Sequence, residues 1–225
     1  QAGEGDGPAA AHLSPRPRNF QRGGFKFRST PYGAPPLRDD LVRTIHCGLP
    51  GSSMPAFPLM SVVDQRDVAE YVLQLFAFGR ARKEVRFYLE DEGLSMDAIR
   101  KEHLANIRAE VWRKMTAEAS PLAVPAVPQV TEESVQRGRK LFDPQCASCH
   151  GATGVGDGPS APTLRDWKDG DIRPRDFTPG VFRAGSGPRD LFLRLKTGIS
   201  GTPMPATSGT DEDLWDMMAF IRSLK

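Results

Sequence analysis

Apolar positions in the middle of the chain recur with a helical period. The repeating positions between residues 96 and 118 are Met96, Ile99, His103, Ile107, Val111 and Met115. Steps of three and four residues place these side chains on one stripe of a helix. Ser95 is a suitable N-cap, and Asp97 in the first turn complements the helix dipole. We therefore predict an amphipathic helix over residues 96–118.

Three other segments have helical patterns. A helix is predicted to begin after Thr131, which can cap it, and to run through Val135, Gly138, Leu141 and Phe142 toward the cysteines that follow. Two apolar stretches around Val68–Phe76 and Leu214–Leu224 also have helical character. The prolines between residues 121 and 128 predict an extended, semi-rigid linker ahead of Thr131.

The chain contains one unit twice. The shared landmarks are, in order, Gly-Asp-Gly-Pro (residues 5–8 and 156–159), Pro-Arg-Asn/Asp-Phe (17–20 and 174–177), Phe-Arg (27–28 and 182–183), Asp-Leu (40–41 and 190–191) and Gly-x-x-Met-Pro (51–55 and 201–205). Landmarks in the same order indicate two homologous domains. We predict a first domain over residues 1–79, an inserted helix and proline-rich linker over 80–130, and a second domain over 131–225.

Composition and charge exclude several classes of protein. The 225 residues include 30 basic and 28 acidic side chains, so the net charge of +2 does not favour nucleic-acid binding. No run of 18 apolar residues occurs, so no membrane span is predicted. The 22 glycines and 20 prolines indicate many turns, and three cysteines cannot form a disulfide framework.

Two cysteines and a histidine form the pattern that carries chemistry. Cys146-Ala-Ser-Cys149-His150 has the C-x-x-C-H spacing of covalent c-type haem attachment. Cysteines three positions apart can reach both vinyl groups of one porphyrin, and the adjacent histidine then lies beneath the iron. The alternatives are a redox C-x-x-C motif and half of a zinc site. Zinc would require a second ligand pair, whereas the remaining cysteine is the isolated Cys47, and a thioredoxin-like motif would require a βαβ context.

A second axial ligand is predicted at Met204. This residue lies in Gly201-Thr-Pro-Met-Pro205, between two prolines that fix the backbone. Polar and turn residues flank it, which suits a metal ligand better than a core methionine. Ligation of iron by His150 and Met204 would raise the reduction potential and favour electron transfer.

These motifs resemble the class I cytochromes c, in a tandem, di-haem arrangement. The resemblance implies a mainly α fold of two cytochrome c-like domains, each with a few short helices and long loops wrapped around a haem. An inserted helix and the proline-rich linker would join the two domains. In this family a first helix with a glycine and an aromatic, here Gly138 and Phe142, crosses the last helix, here at Phe220 and Leu224. The Pro162-Thr163-Leu164 segment matches a family motif whose proline carbonyl accepts the histidine ring N–H.

The first domain departs from the family pattern at its start. Met54, in Gly51-Ser-Ser-Met-Pro55, matches the distal ligand, whereas the C-x-x-C-H motif would fall just before Gln1. Either the chain is a fragment that lacks this motif, or the first domain has lost its haem. We favour the fragment, because a domain without haem has little reason to keep the methionine loop. A second haem c is then expected if the natural chain extends upstream. Ala11 stands where the second domain has Pro162, so that carbonyl contact is in doubt here.

Several polar residues are weaker candidates. Trp167, Arg173 and Arg175 would donate hydrogen bonds to haem propionates, or they belong to an ordinary solvated loop. Arg16 and Arg18 are the corresponding candidates in the first domain. The remaining residues of interest are expected to be surface or packing residues (His12, His46, His103) or a small buried one (Cys47).

The resemblance implies electron transfer between redox protein partners, without catalytic residues of the chain's own. The location would be periplasmic or otherwise extracytoplasmic, because the family's haem is attached after export. Two haems would form a short relay. The helix over residues 96–118 exceeds what a bare carrier needs and suggests docking onto a larger respiratory, photosynthetic or oxidoreductase complex, including a membrane-bound one. The alternatives are a di-haem peroxidase-type enzyme, which needs an open iron site, and a haem-based sensor, which exchanges its distal methionine when a gas binds.

Overall fold

Helices supply the regular structure of the computed structural model, which describes residues 2–13, 15–116, 120–166 and 170–225. The helices of these ranges are α1 (Arg38–Cys47), α2 (Val62–Glu90), α3 (Met96–Ala98), α4 (Leu104–Thr116), α5 (Glu132–Gln145), α6 (Ala147–His150), α7 (Pro188–Thr197) and α8 (Asp211–Ser223). Short 3-10 turns occupy Ala10–His12 and Ala161–Thr163. Within the described ranges, β geometry is limited to one bridge between Arg165 and Asp171. The structure confirms the predicted mainly α fold class.

The chain divides into two compact units, Gln1–Pro121 and Leu122–Lys225. Each unit has its own hydrophobic cluster. We call these units 1 and 2 and describe each by itself.

The core of unit 2 forms where α5 crosses α8. Gly138 is buried at this crossing, and a Cβ added there would overlap the backbone carbonyl oxygen of Asp216. The rings of Phe142 and Phe220 meet edge to face, with centroids 5.2 Å apart. Arg137 makes a two-pronged ion pair with Asp216, at 2.6 and 3.1 Å. The crossing predicted for Gly138, Phe142 and Phe220 is therefore present.

The core of unit 1 is smaller and packs α1 against the first half of α2. Its buried members are Phe25, Leu41, Ile45, Ala69, Val72 and Phe76. Met54, Leu73 and Met115 are partly buried against it. The helix that contains the predicted apolar stretch Val68–Phe76 is much longer than that stretch. It begins at the Ser61 cap, whose hydroxyl accepts from the Asp64 N–H, and continues to Glu90.

The central amphipathic segment packs back on the second half of α2. Helices α3 and α4 are joined by a π-helical turn over Ile99–His103, and Ile99 and Ile107 are buried. The ring of His103 lies 4.2 Å from that of Tyr88 on α2. His103 is thus a packing residue, as the pattern predicts. Residues 117 and 118 of the predicted helix lie outside the described residues.

None of the helices described is both long and apolar enough to cross a membrane.

We expect Gly138→Ala to weaken the crossing of α5 and α8. The added Cβ would overlap the Asp216 carbonyl, and overpacking of this kind typically costs about 1–3 kcal/mol. Hydrogen exchange of the α8 amides would report the loss. Gly7→Ala is the matched control, because a Cβ at Gly7 would have nothing within 4 Å. Unchanged α8 exchange in Gly138→Ala would contradict this account of the crossing.

Candidate functional site

The end of α5 leads directly into the predicted haem-attachment residues. Cys146 closes the helix with an N–H bond to Phe142 O at 2.8 Å. One turn later the N–H groups of Cys149 and His150 both donate to Cys146 O, at 3.1 and 2.9 Å. Both thiols and the imidazole therefore lie on a single turn, all half-buried. Gly151, with φ of 74°, then turns the chain away from the site.

The electrostatics of Cys146 do not resemble those of a redox-active cysteine. Burial, with a smaller effect from Cys149, raises the pKa of the Cys146 thiol to about 11. Redox-active cysteines react as the thiolate, which a lowered pKa favours. The raised pKa therefore weighs against the redox alternative. It is compatible with a thiol that ends as a thioether.

His150 is held as a neutral imidazole with one nitrogen available. Its ring stacks on Phe177 with centroids 4.4 Å apart, and Nδ1 lies 3.2 Å from the Arg175 carbonyl oxygen. A carbonyl oxygen accepts only, so Nδ1 carries the proton and Nε2 keeps its lone pair for a metal. Burial lowers the pKa of His150. The hydrogen bond to the Arg175 carbonyl raises this pKa, but by less than burial lowers it.

The carbonyl that orients His150 differs from the one predicted. The expected partner was Pro162, but this residue lies exposed in a 3-10 turn, with its oxygen 3.5 Å from Arg165 Nη1. The segment before Phe177 occupies the place over the imidazole instead. That segment is fixed there by the bond from Phe177 N–H to Gly154 O at 2.8 Å.

Met204 lies in a loop with its own hydrogen-bond framework. Gly198 ends α7 with φ of 62°, and the N–H of Ile199 then donates to Met204 O at 3.0 Å. The Met204 N–H lies 3.3 Å from Thr202 Oγ1, and Thr202 N–H donates to Ile199 O at 3.1 Å. Met204 packs against the same hydrophobic cluster as Cys146. The structure thus brings the predicted second ligand and the attachment turn to one apolar core.

The Met54 loop of unit 1 has the same framework. Gly48 ends α1 with φ of 63°, and Leu49 N–H donates to Met54 O at 3.1 Å. Ser52 N–H donates to Leu49 O at 3.0 Å, and Met54 N–H lies 3.3 Å from Ser52 Oγ. Met54 packs against the unit 1 cluster. The two methionine loops therefore share their turn, their bonds and their placement on a core.

The segment that covers His150 is also duplicated. Phe20 N–H donates to Gly3 O at 2.8 Å, as Phe177 N–H does to Gly154 O. Both glycines have φ of 73°. Unit 1 thus retains the backbone that, in unit 2, places a carbonyl and an aromatic ring over the imidazole.

The structure gives the surroundings of the arginines predicted to bind propionates, and that role stays a prediction. Arg175 donates from Nε and Nη2 to Val181 O at 3.0 and 2.8 Å, so this guanidinium binds the backbone. Arg173 is exposed. Arg183, part of the repeated Phe-Arg landmark, has a buried Nε, and its pKa is lowered by burial and by the charge of Arg175. Two neighbouring guanidinium groups favour an anion beside them.

The remaining candidates for contact with haem propionates are Trp167 and two arginines of unit 1. Trp167 lies outside the described residues. In unit 1, Arg16 is exposed, whereas Arg18 Nη1 donates to the carbonyl oxygens of Gly23 and Gly24. Burial lowers the pKa of Arg18.

The predicted surface residues His12 and His46 are exposed. Cys47 is also exposed, so the prediction that it is buried was wrong. It follows the last buried position of α1, Ile45, by two residues and points away from that core.

A buried donor in unit 2 tests whether the site fits a porphyrin. The Trp215 indole Nε1 is buried and has no hydrogen-bond partner among the described residues. Its ring stacks on Phe192 with centroids 4.5 Å apart. An unpartnered buried donor is costly, so the site suits a group that brings an acceptor. Haem carries two carboxylates, and the thiols, the free imidazole nitrogen and the thioether match its other attachments.

These features define a protein that binds haem covalently. The comparisons agree with this class. The cytochrome c family model matches residues 135–225. A chain of the Kuenenia stuttgartiensis reducing HAO-like protein complex Kustc0457/Kustc0458 is similar in structure, with a TM-score of 0.75 and 31% identity, over 99% of this chain and 88% of that one. No curated protein sequence matches the chain.

The chain therefore belongs to the cytochrome c family. Membership of this family implies covalently bound haem c and a role in haem-based electron transfer, and Cys146 and Cys149 lie in the matched region.

Some residues of the site gave no clear signal in the sequence. Phe177 is part of the repeated Pro-Arg-Asn/Asp-Phe motif, which could have indicated its role. Arg183 is part of the repeated Phe-Arg motif, which could likewise have indicated its place in the site. Trp215 has no aromatic counterpart in unit 1, so only its burial on α8 distinguishes it.

We expect Trp215→Phe to change the free energy of unfolding by different amounts in the haem-free and the haem-loaded protein. Trp215→Phe loses packing in both forms, because the indole is buried against Phe192. In the haem-free variant Cys146→Ser/Cys149→Ser it also removes an unpartnered N–H, whereas in the haem-loaded protein that N–H has an acceptor. The change in the free energy of unfolding should therefore be about 1–3 kcal/mol more favourable in the haem-free variant. Urea unfolding of both forms measures this. Trp112→Phe is the control, since Trp112 is 72% exposed. An equal change in both forms would contradict the assignment.

Proposed function

We propose that the chain is an electron carrier of the periplasm or another extracytoplasmic compartment, in which His150 and Met204 are the axial ligands of a haem c. The observation that carries this proposal is the packing of Met204 and of the Cys146 turn on one apolar cluster. Bound haem supplies one-electron redox chemistry at its iron.

The residues of unit 2 have distinct roles in this proposal. Cys146 and Cys149 fix the porphyrin to the turn after α5. The Arg175 carbonyl and the Phe177 ring hold the imidazole of His150 in one orientation, with Nε2 toward the metal. A rigid histidine and a methionine fixed by its loop would keep both axial positions filled, which raises the potential and excludes substrate from the metal.

We also propose a second haem in unit 1, with Met54 as its distal ligand. Its support is the loop of Met54, which repeats the hydrogen bonds of the Met204 loop. The duplicated bond between Phe20 and Gly3 adds a cover for a proximal imidazole. The proposal requires attaching cysteines and a histidine that the residues of unit 1 do not supply. Two haems would give one chain two sites for one-electron transfer.

We further propose that the protein works as the cytochrome subunit of a larger redox complex. Support comes from the 31% identity with a chain of a HAO-like protein complex. The central insert offers exposed apolar side chains for docking, among them Trp112 at 72% and Met96 at 43% exposure. Residues 96–118 are therefore the proposed contact region. In this role the chain passes electrons and has no catalytic residues of its own.

Carbon monoxide separates an electron carrier from a peroxidase or a gas sensor. With His150 and Met204 in place, the reduced protein should not bind carbon monoxide rapidly. Met204→Ala should bind it, and its potential should fall by a few tenths of a volt, within the roughly 0.8 V range set by axial ligands. Optical titration and potentiometry measure both effects. Met96→Ala, at an exposed methionine, is the control. Rapid binding by the unaltered protein would favour an open site.

The number of haems tests the proposal for unit 1. In the natural full-length polypeptide, the pyridine haemochrome assay should find two haems per chain. The double variant Cys146→Ser/Cys149→Ser should retain one, held by unit 1. A variant with none would show that unit 1 binds no haem.

A further inference from the structure

The segment that follows the unit 1 core is a helical hairpin. The second half of α2 leads into a turn, and α3 and α4 return along it. Tyr88 of α2 lies against His103, with ring centroids 4.2 Å apart. Met115, near the end of α4, packs with the cluster built around the first half of α2. The two helices are therefore antiparallel, and we call residues 80–116 the hairpin.

One side of the hairpin has exposed apolar side chains. Successive side chains of a helix point about 100° apart, so in an antiparallel pair the residues after Tyr88 and His103 turn to the same side. These residues are Leu89 and Leu104, which are 37% and 38% exposed. Trp112, two turns after Leu104 on α4, is 72% exposed. We call the side formed by Leu89, Leu104 and Trp112 the hairpin face.

Charge is distributed unequally along the hairpin. Residues 90–97, which form its tip, include four acidic side chains and no basic one. Residues 80–86 of α2 include four basic side chains and one acidic, and residues 108–114 of α4 include three basic and one acidic. The hairpin therefore has a negative tip and a positive base.

Local ion pairs do not cancel the negative tip. Glu90 lies 3.6 Å from Arg86, and Asp97 lies 3.8 Å from Arg100. The side chains of both pairs are more than half exposed, and such pairs are weak. The carboxylates of residues 91–92 are exposed in the turn beside them. The tip is thus able to attract a basic surface.

The charge pattern fits a second copy of the same chain. If two copies meet around a two-fold axis with their hairpins antiparallel, the negative tip of each lies against the positive base of the other. A parallel arrangement would place like charges together. An apolar centre with an aromatic residue and an arginine-containing rim is also typical of protein interfaces.

The spacing of the exposed apolar residues gives the same arrangement. Leu104 lies eight residues after Met96 at the tip and eight residues before Trp112. A two-fold axis beside Leu104 would therefore bring Trp112 of one copy to Met96 of the other. Met96 is 43% exposed, and a thioether packs favourably against an aromatic ring.

We propose that two copies of the chain pair through the hairpin face in this antiparallel, two-fold arrangement. The two Leu104 side chains lie at the axis, and Trp112 packs on Met96 of the second copy. Arg108 and Arg113 lie against the acidic tip of the second copy. The inference rests on the proposal above that residues 96–118 are a contact region, and it names what occupies that region.

Sedimentation velocity of the haem-loaded chain tests the pairing. Between about 1 and 100 μM, a range that covers micromolar dissociation constants, the mass should rise from one chain to two. Trp112→Ala should raise the dissociation constant at least tenfold, because a buried aromatic residue is a typical hot spot of an interface. Leu59→Ala is the control, since Leu59 is 99% exposed but lies outside the hairpin. It should leave the dissociation constant unchanged.

Charge reversal tests the antiparallel arrangement. The tip variant Asp91→Lys/Glu92→Lys and the base variant Arg108→Glu/Arg113→Glu should each stay monomeric, because tip and base then have the same sign. An equimolar mixture of the two variants should form a dimer of one copy of each, because both contacts again join opposite charges. Far-UV circular dichroism of each variant would show that its helices are retained.

Three results would overturn the inference. The unaltered chain could remain monomeric up to 100 μM, which would leave the face to another subunit of the complex. Trp112→Ala could pair as well as the unaltered chain. The mixture of folded charge variants could stay monomeric. A monomer that keeps both axial ligands, as judged by its response to carbon monoxide, would refute the pairing and leave the electron carrier standing. A dimer that binds carbon monoxide rapidly would do the reverse.

Discussion

The close crossing of α5 and α8 is the constraint on which unit 2 depends. Gly138 has no side chain, so the backbone of α5 can lie against the carbonyl of Asp216. The contact holds α5 against α8, and the turn with Cys146, Cys149 and His150 follows directly at the end of α5. It also fixes α8, which carries Trp215 into the same core. The proposed haem site is thus set by helix packing, and the loops would supply its second ligand and the cover over the imidazole.

The two units share the architecture of their methionine loops. Both methionine loops begin at a glycine in the same conformation and use the same bonds, although their sequences differ between Gly51-Ser-Ser-Met-Pro55 and Gly201-Thr-Pro-Met-Pro205. A hydroxyl residue after each turn glycine supplies the bond to the methionine N–H. This explains why serine can replace threonine without a change in the loop. Preservation of a ligand loop at this level supports a haem in unit 1 more strongly than sequence similarity alone.

Much of the fold could be predicted, because the C-x-x-C-H spacing and the helical periods are local signals; the proposed metal ligands rest on the same spacing and on the methionine loop. The hydrogen bond that orients His150 could not be predicted. The sequence offers Pro162 and Arg175 carbonyls alike, and only the fold places the segment before Phe177 over the ring. The length of α2 was also missed, because its second half is polar and is held by packing against α4 rather than by a strong apolar period. Trp215 was missed because burial of its indole N–H depends on the whole core.

The central claim is that His150 and Met204 bind one iron together. X-ray absorption at the iron edge of a haem-loaded protein restricted to residues 122–225 would test this directly, provided that unit 2 is first shown to fold alone by its far-UV circular dichroism. The account predicts one sulfur and five nitrogen neighbours, with the sulfur lost in Met204→Ala. A first shell of nitrogen and oxygen atoms only, unchanged in that variant, would contradict it.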